Sequence, residues 1–303
     1  MEQLKIYFFG TSCSTPTAER NLSSIGLQFH GNNLLFDCPE GTQRQMMRTS
    51  FPFMRIKNIF LSHFHADHTL GLPGLIATMA LAERNEPLFV FGPRGVKERV
   101  QKLIDAANFG VNFQIVCKEL RKGIVLEDKK FLLSAFPLKH GAPCFGFVFQ
   151  EIGKEGEFQR KKALELGIPE GPLWGKLQKG ETIKFEGKTF KPEQVMDFSK
   201  AKRGRKVSIV WDTLPNNSYH SDIKNSDVLV HEASLSDSEA EFAKKTLHST
   251  ALLAALTAKK TGAKKLVLTH ISSRYRNASE IEKEAKKEFQ NTIVAKDLLE
   301  IDV

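Results

Sequence analysis

The sequence predicts an α/β (α+β) fold, because short apolar runs with strand character alternate with helical segments along most of the chain. Where such a run ends, a residue of metal-ligand type tends to follow, at Asp37, His63, His140, Asp212, His231 and His270. Residues 152–206 interrupt the alternation: Gly and Pro become frequent and apolar periodicity fades, so this segment reads as an insertion into the main fold.

At 303 residues with 41% hydrophobic composition, the chain is long enough to bury a layered core. No apolar run is long and uncharged enough to read as a membrane span. Met1 to Gly10 run directly into strand-like sequence without a basic, apolar and cleavable leader, so the expected location is the cytoplasm. Cys13, Cys38, Cys117 and Cys144 lie far apart and form no Cys-x-x-Cys pair, which argues against a zinc ribbon or a disulfide framework and reads them as packing residues. A net charge of +9 favours a polyanionic partner.

In order, residues 5–9 read as a buried strand ended by Gly10, and a polar loop over 15–21 follows. Residues 24–29 and 33–37 form a hairpin with Gly31 and Asn32 at its tip. A helix is expected from Thr42 to about Arg48 and a strand over 56–61, and a tight turn over 71–74 precedes a helix over 75–81. Strands over 87–91, 113–116, 131–137 and 145–150 follow, with an amphipathic helix opened by Gly92 and Pro93. After the insertion come strands over 207–211, 227–230 and 265–269 and helices over 236–245, 251–261 and 277–289. Ser249 is the expected cap of the second of these helices, and 292–294 is extended.

The densest chemistry lies in residues 62–68, where three of the chain's nine histidines (His63, His65, His68) and Asp67 fan out of a short loop after a strand. Neutral imidazole and carboxylate suit Zn²⁺, Mn²⁺ or Fe. His63 and His65, two apart, can share one ion, which turns Asp67 and His68 toward a second position. His140, Asp212 and His270 supply enough further groups for two ions with one carboxylate between them. The insertion carries 14 Lys plus Arg against 8 Asp plus Glu, which is +6 of the chain's +9. It also holds the apolar stretch 167–177, so it reads as a projecting basic arm with a compact tip that grips nucleic-acid backbone.

His-x-His-x-Asp-His over 63–68 resembles the signature of the metallo-β-lactamase fold, a four-layer αβ/βα sandwich. Further stretches resemble the ribonuclease Z family, the short-form tRNA 3′-processing endonucleases. They are 8–12, Pro16 with Arg20 and Asn21, 36–43, 62–74, 167–177, 231–233, 248–250 and 270–275. The resemblance implies a catalytic domain over 1–151 and 207–303 and an inserted tRNA-binding arm over 152–206. It implies two Zn²⁺ per subunit, with Mn²⁺ or another divalent ion as the alternative. His63, His65 and His140 would hold one ion, Asp67, His68 and His270 the other, and Asp212 would bridge. Asp67 is also the implied proton acceptor, His248 lies near the scissile phosphate, and Glu232 orients His248. Arg20, Asn21, Gly171, Pro172 and Lys176 are the implied RNA contacts.

The implied reaction removes the 3′ trailer from precursor tRNA, leaving a 3′-OH on the tRNA and a 5′-phosphate on the trailer, in a homodimer. Another binuclear-metal phosphodiesterase or ester hydrolase of the same fold, or a non-catalytic tRNA-binding subunit, are the alternatives. Trp211 stands where the family commonly has glycine, Leu214 where arginine is frequent, Ser234 where it has threonine, and Glu19 where a basic or small residue is usual.

Overall fold

Strands with apolar side chains on both faces must be covered on both sides, and this requirement organises the protein around two seven-stranded sheets. The computed structural model describes residues 3–303. The first sheet runs in spatial order Glu300–Asp302, Leu4–Gly10, Ser24–Phe29, Asn32–Phe36, Asn58–Phe60, Leu88–Gly92 and Ile115–Glu119. Its last four strands are parallel and the others antiparallel. The second sheet runs Thr292–Val294, Leu266–Thr269, Val228–Glu232, Lys206–Val210, Cys144–Glu151, Phe131–Leu138 and Gly123–Glu127, with its first four strands parallel.

The sheets face each other across an aromatic seam. Phe147 of the second sheet lies 5.2 Å from Phe36 and 5.7 Å from Phe60 of the first, and Phe149 lies 5.4 Å from Phe29, all measured between ring centroids. Helices Leu72–Leu81 and Val96–Ala107 cover the outer face of the first sheet, where Leu75, Ile76, Met79, Val100 and Ile104 pack with Phe9, Leu35, Ile59 and Val90. Helices Ala251–Thr261 and Ser279–Glu288 cover the second. The result is the expected four layers, helix, sheet, sheet and helix. Among the described residues no helix is long and apolar enough to cross a membrane.

The chain divides into two compact units, one of residues 1–127, 133–149 and 206–303, the other of residues 128–132 and 150–205. The second unit has its own core of Ala163, Ile168, Trp174, Leu177, Ile183, Phe190 and Val195. Helices Arg160–Glu165 and Pro172–Gln178 and the hairpin Ile183–Phe185 with Lys188–Phe190 supply it, and Trp174 Nε1 donates to Ile168 O at 3.1 Å.

Several local expectations are corrected. The helix expected from residue 75 begins at Leu72, because Pro73 in the first turn gives up an N–H that has no intrahelical acceptor there. Before it, Gly71 is required because a Cβ would meet Pro39 O at 1.9 Å. Thr250, not Ser249, caps the helix Ala251–Thr261, accepting from Leu253 N at 3.2 Å, while Ser249 Oγ donates to Thr250 O. His231 stays out of the ligand cluster: it is buried, its Nδ1 donates to Glu232 O at 2.7 Å and its Nε2 meets Tyr219 Oη at 3.2 Å. The edge strands Gly123–Glu127 and Glu300–Asp302 are not among the expected strands. The latter pairs Ile301 with Ile6 in antiparallel register and brings Glu300 to Lys5 at 2.9 Å.

Phe147→Ala is expected to destabilise the protein by about 3–5 kcal/mol in urea unfolding, since it removes the ring that both sheets share. A loss below about 1 kcal/mol would show that the seam closes without it.

Candidate metal centre

Parallel strands deliver their following loops to one end of each sheet, and ligand-type residues gather there. The loop after Asn58–Phe60 gives His63, His65, Asp67 and His68, that after Lys206–Val210 gives Asp212, and that after Leu266–Thr269 gives His270. His140 stands between Phe131–Leu138 and Cys144–Glu151. The ligand atoms of His63, His65, His140 and Asp212 lie within 4.8 Å of one another, and so do those of Asp67, His68 and His270. All seven residues proposed from the sequence as metal ligands therefore meet in two adjoining groups.

The carboxylate of Asp212 spans the two. Its Oδ2 is 3.8 Å from His63 Nε2 and 3.9 Å from His140 Nε2, and its Oδ1 is 3.6 Å from His68 Nε2 and 3.3 Å from His270 Nε2. Within the first group, His63 Nε2 and His140 Nε2 lie 2.9 and 3.4 Å from His65 Nδ1. Donors bound at about 2.0–2.2 Å around one ion stand about 3–3.5 Å apart, so this set fits a first-row divalent cation. The buried atoms Asp212 Oδ1, His68 Nε2 and His270 Nε2 have no hydrogen-bond partner, although buried polar atoms rarely go without one. A cation shared by these atoms accounts for all three.

The nitrogens pointing away from this centre are held by the protein. His68 Nδ1 donates to Asp37 Oδ2 at 2.7 Å and His140 Nδ1 to Leu247 O at 3.2 Å. Ser62 Oγ donates to Asp37 Oδ2 at 2.7 Å, so it accepts from His63 Nδ1 at 2.9 Å. Ser234 Oγ donates to Glu232 Oε2 at 2.8 Å and accepts from His270 Nδ1 at 3.0 Å. Each Nδ1 being a donor, the neutral form of each of these four rings carries its lone pair on Nε2, facing the centre. Asp37, noted in the sequence only as a ligand-type residue, is thus the carboxylate that orients His68 and, through Ser62 N at 2.6 Å, the loop behind it. Trp211, the departure from the family pattern, is fully buried and sets its ring perpendicular to His68, with centroids 5.7 Å apart.

Charge follows the same pattern. Burial opposes ionisation of Asp212, yet His270 and His68 hold it well below the usual carboxylate range. Burial likewise disfavours charge on His68, but Asp212 and Asp37 push it up to about 10, and Asp212 raises His270 well above its ordinary value. Burial and the neighbouring His68 drive His63 the other way. The carboxylates create a demand for positive charge at the Nε2 atoms that a divalent cation answers.

Beside the centre, His248 Nδ1 donates to Glu232 Oε1 at 3.0 Å, and its ring lies 5.1 Å from His140 and 5.6 Å from His270. Glu232 is fully buried and also accepts from Thr213 N, Ser249 N and Ser234 N at 2.9–3.1 Å. Burial works against a charged imidazole, but Glu232 outweighs it and pushes His248 up to about 9. Asp67 Oδ2 accepts from Ser14 N at 3.0 Å.

The expected RNA contacts divide. Arg20 does not offer its guanidinium outward: Nη1 donates to Thr11 Oγ1 at 2.6 Å and to Ala295 O at 2.7 Å, so it holds its own loop to the fold. Asn21 Nδ2 donates to Glu40 O at 3.0 Å. Gly171, Pro172 and Lys176 are exposed in the second unit, at and just after the start of the helix Pro172–Gln178.

A family profile described as anti-Pycsar protein Apyc1 matches residues 4–106. A protein named ribonuclease Z from Methanosarcina acetivorans is 42% identical over 301 residues, covering 99% of this chain and 98% of that one. Human tRNase Z, short form, superposes with a TM-score of 0.71 at 27% identity over 98% of both chains. The metallo-β-lactamase fold protein YhfI from Bacillus subtilis superposes equally well, at 0.71, with 18% identity over the whole of both chains.

Asp37→Asn keeps the shape of the side chain but weakens the acceptor facing His68. Metal affinity, measured by competition with a chromogenic chelator, is expected to fall about 10–100-fold. Unchanged affinity would remove Asp37 from the set of orienting groups.

Proposed function

Since this chain belongs to the ribonuclease Z family and is a metal-dependent endoribonuclease of the metallo-β-lactamase fold, we propose that it removes the 3′ trailer from precursor tRNA with two Zn²⁺ per subunit, Mn²⁺ or another divalent ion being the alternative. The observation that carries this reading is Asp212, whose two oxygens each face one of two donor groups. In it, His63, His65 and His140 hold one ion and Asp67, His68 and His270 the other, with Asp212 shared. When bound, such ions supply Lewis acidity that acidifies water to near neutrality and offsets charge on phosphoryl oxygens.

The chain's own groups do the rest. Burial raises Asp67, but His270 and His68 hold it well below the usual carboxylate range, so it is ionised at neutral pH and placed to accept a proton from the attacking water. His248, cationic at neutral pH with Nδ1 fixed on Glu232, keeps Nε2–H as the proton for the departing 3′-oxygen of the tRNA. The products are a tRNA ending in 3′-OH and a trailer with 5′-phosphate. The second unit supplies the grip on RNA: Arg160, Lys161, Lys162 and Lys176 are exposed there, as are Gly171 and Pro172. Family resemblance adds a homodimer. Four unpaired cysteines suit a reducing compartment, which supports a cytoplasmic location.

The direct test is metal analysis beside end-mapping of the products from a 3′-extended tRNA transcript. Asp212→Ala should lose metal and cut more than about 100-fold more slowly. Full metal content with wild-type cleavage would refute the bridge. His248→Ala should lower kcat about 10²–10⁴-fold with metal content retained. Replacing Arg160, Lys161 and Lys162 by Ala should raise KM and flatten the log–log salt dependence of binding by about 0.9 for each phosphate these side chains neutralise. An unchanged salt slope would mean that they do not touch the RNA.

A further inference from the structure

Phe242 is 46% exposed on the short helix Ala240–Thr246, whose far end leads to His248, and His248 N donates to the neighbouring Ala243 O at 2.9 Å. An exposed ring alone is ordinary. This one carries a guanidinium: Arg274, on the segment that follows His270, sets its Cζ 5.0 Å from the ring centroid. The pair is fixed from below. Glu239 accepts from Arg274 Nη1 and from Tyr275 Oη, the latter at 2.7 Å, and Tyr275 Oη accepts from Ser236 N at 2.9 Å.

The surroundings carry charges of both signs. Lys245, one turn on from Phe242 and on the same face of the helix, is exposed, as are Lys244 and Arg276, and none of the three has an ion-pair partner among the described residues. Of the acidic groups on this stretch, Glu239 is taken by Arg274, while Asp237 and Glu241 remain exposed. A flat aromatic–guanidinium surface with cations around it is how proteins hold an unpaired base of a single strand: the plane stacks the base and the cations meet its phosphate.

We propose that Phe242 and Arg274 form a stacking platform for one unpaired nucleobase beside the scissile phosphodiester, with Lys245 on the adjoining phosphate. This rests on the endoribonuclease reading above. The platform joins the two segments that carry His248 and His270, so a base seated on it fixes where the strand crosses the centre. Phe242 is a positioning group and touches no reacting atom.

The test compares wild type, Phe242→Ala and Phe242→Trp on a 3′-extended tRNA precursor and on precursors with a single abasic nucleotide at each of the two positions either side of the cleavage site. Melting temperature and metal content are measured alongside. Phe242→Ala is expected to lower kcat/KM about tenfold on the intact precursor, and Phe242→Trp to retain it. At one abasic position the wild type should show the same tenfold loss, and Phe242→Ala should add nothing to it. If Phe242→Ala cleaves the intact precursor like wild type, or if its loss is the same at every abasic position, the platform is refuted while the endoribonuclease reading stands. If wild type fails to cleave any precursor, that reading falls and the platform with it.

Discussion

The site depends on which nitrogen of each histidine carries the proton. An imidazole is a ligand only through an unprotonated nitrogen, and here the choice is made at the back of the ring. Asp37, Ser62, Leu247 and Ser234 take up the Nδ1–H of His68, His63, His140 and His270. The two serines accept because each has already given its own proton to a buried carboxylate, Asp37 or Glu232. Remove those carboxylates and the serines could point either way.

One of these supports and one of the supported histidines stand on strained backbone. Asp37 and His270 follow inner strands in the left-handed region, with φ of 57° and 58°, where residues other than glycine are uncommon. That conformation turns a side chain aside at the point where a strand would carry it past the centre. It persists because both side chains are buried and anchored, Asp37 by Ser62 and His270 through Nδ1 by Ser234. Glu232 has a similar double duty. One oxygen fixes His248 and the other, through Ser234, fixes His270, so the two histidines share a single anchor.

The clustering of the seven histidines and aspartates was legible in the sequence because they are local to features that announce themselves. His63, His65, Asp67 and His68 share one loop, and the others follow apolar runs that could only be inner strands. Of the orienting contacts, Glu232 to His248 came from the family resemblance, whereas Asp37 to His68 and Leu247 O to His140 were not legible, since they join residues far apart in the chain. Arg20 shows the limit from the other side. The family resemblance implies that Arg20 contacts RNA, and the fold adds that its Nη1 is held by Thr11 and Ala295. Ser249 and Thr250 differ as caps by one position, which helical periodicity does not resolve.

The pairing of Glu300–Asp302 with Leu4–Gly10 joins two strands from opposite ends of the catalytic unit's sequence. Between them, Asp297 accepts from Thr11 Oγ1, Asn21 N and Gln45 Nε2 at 2.6–2.8 Å, clamping the loop that also carries Arg20. A chain emerging from the ribosome therefore cannot complete its opening sheet until residues 300–302 have cleared the exit tunnel. Loss of the codons for that short strand would leave Leu4–Gly10 with a bare edge.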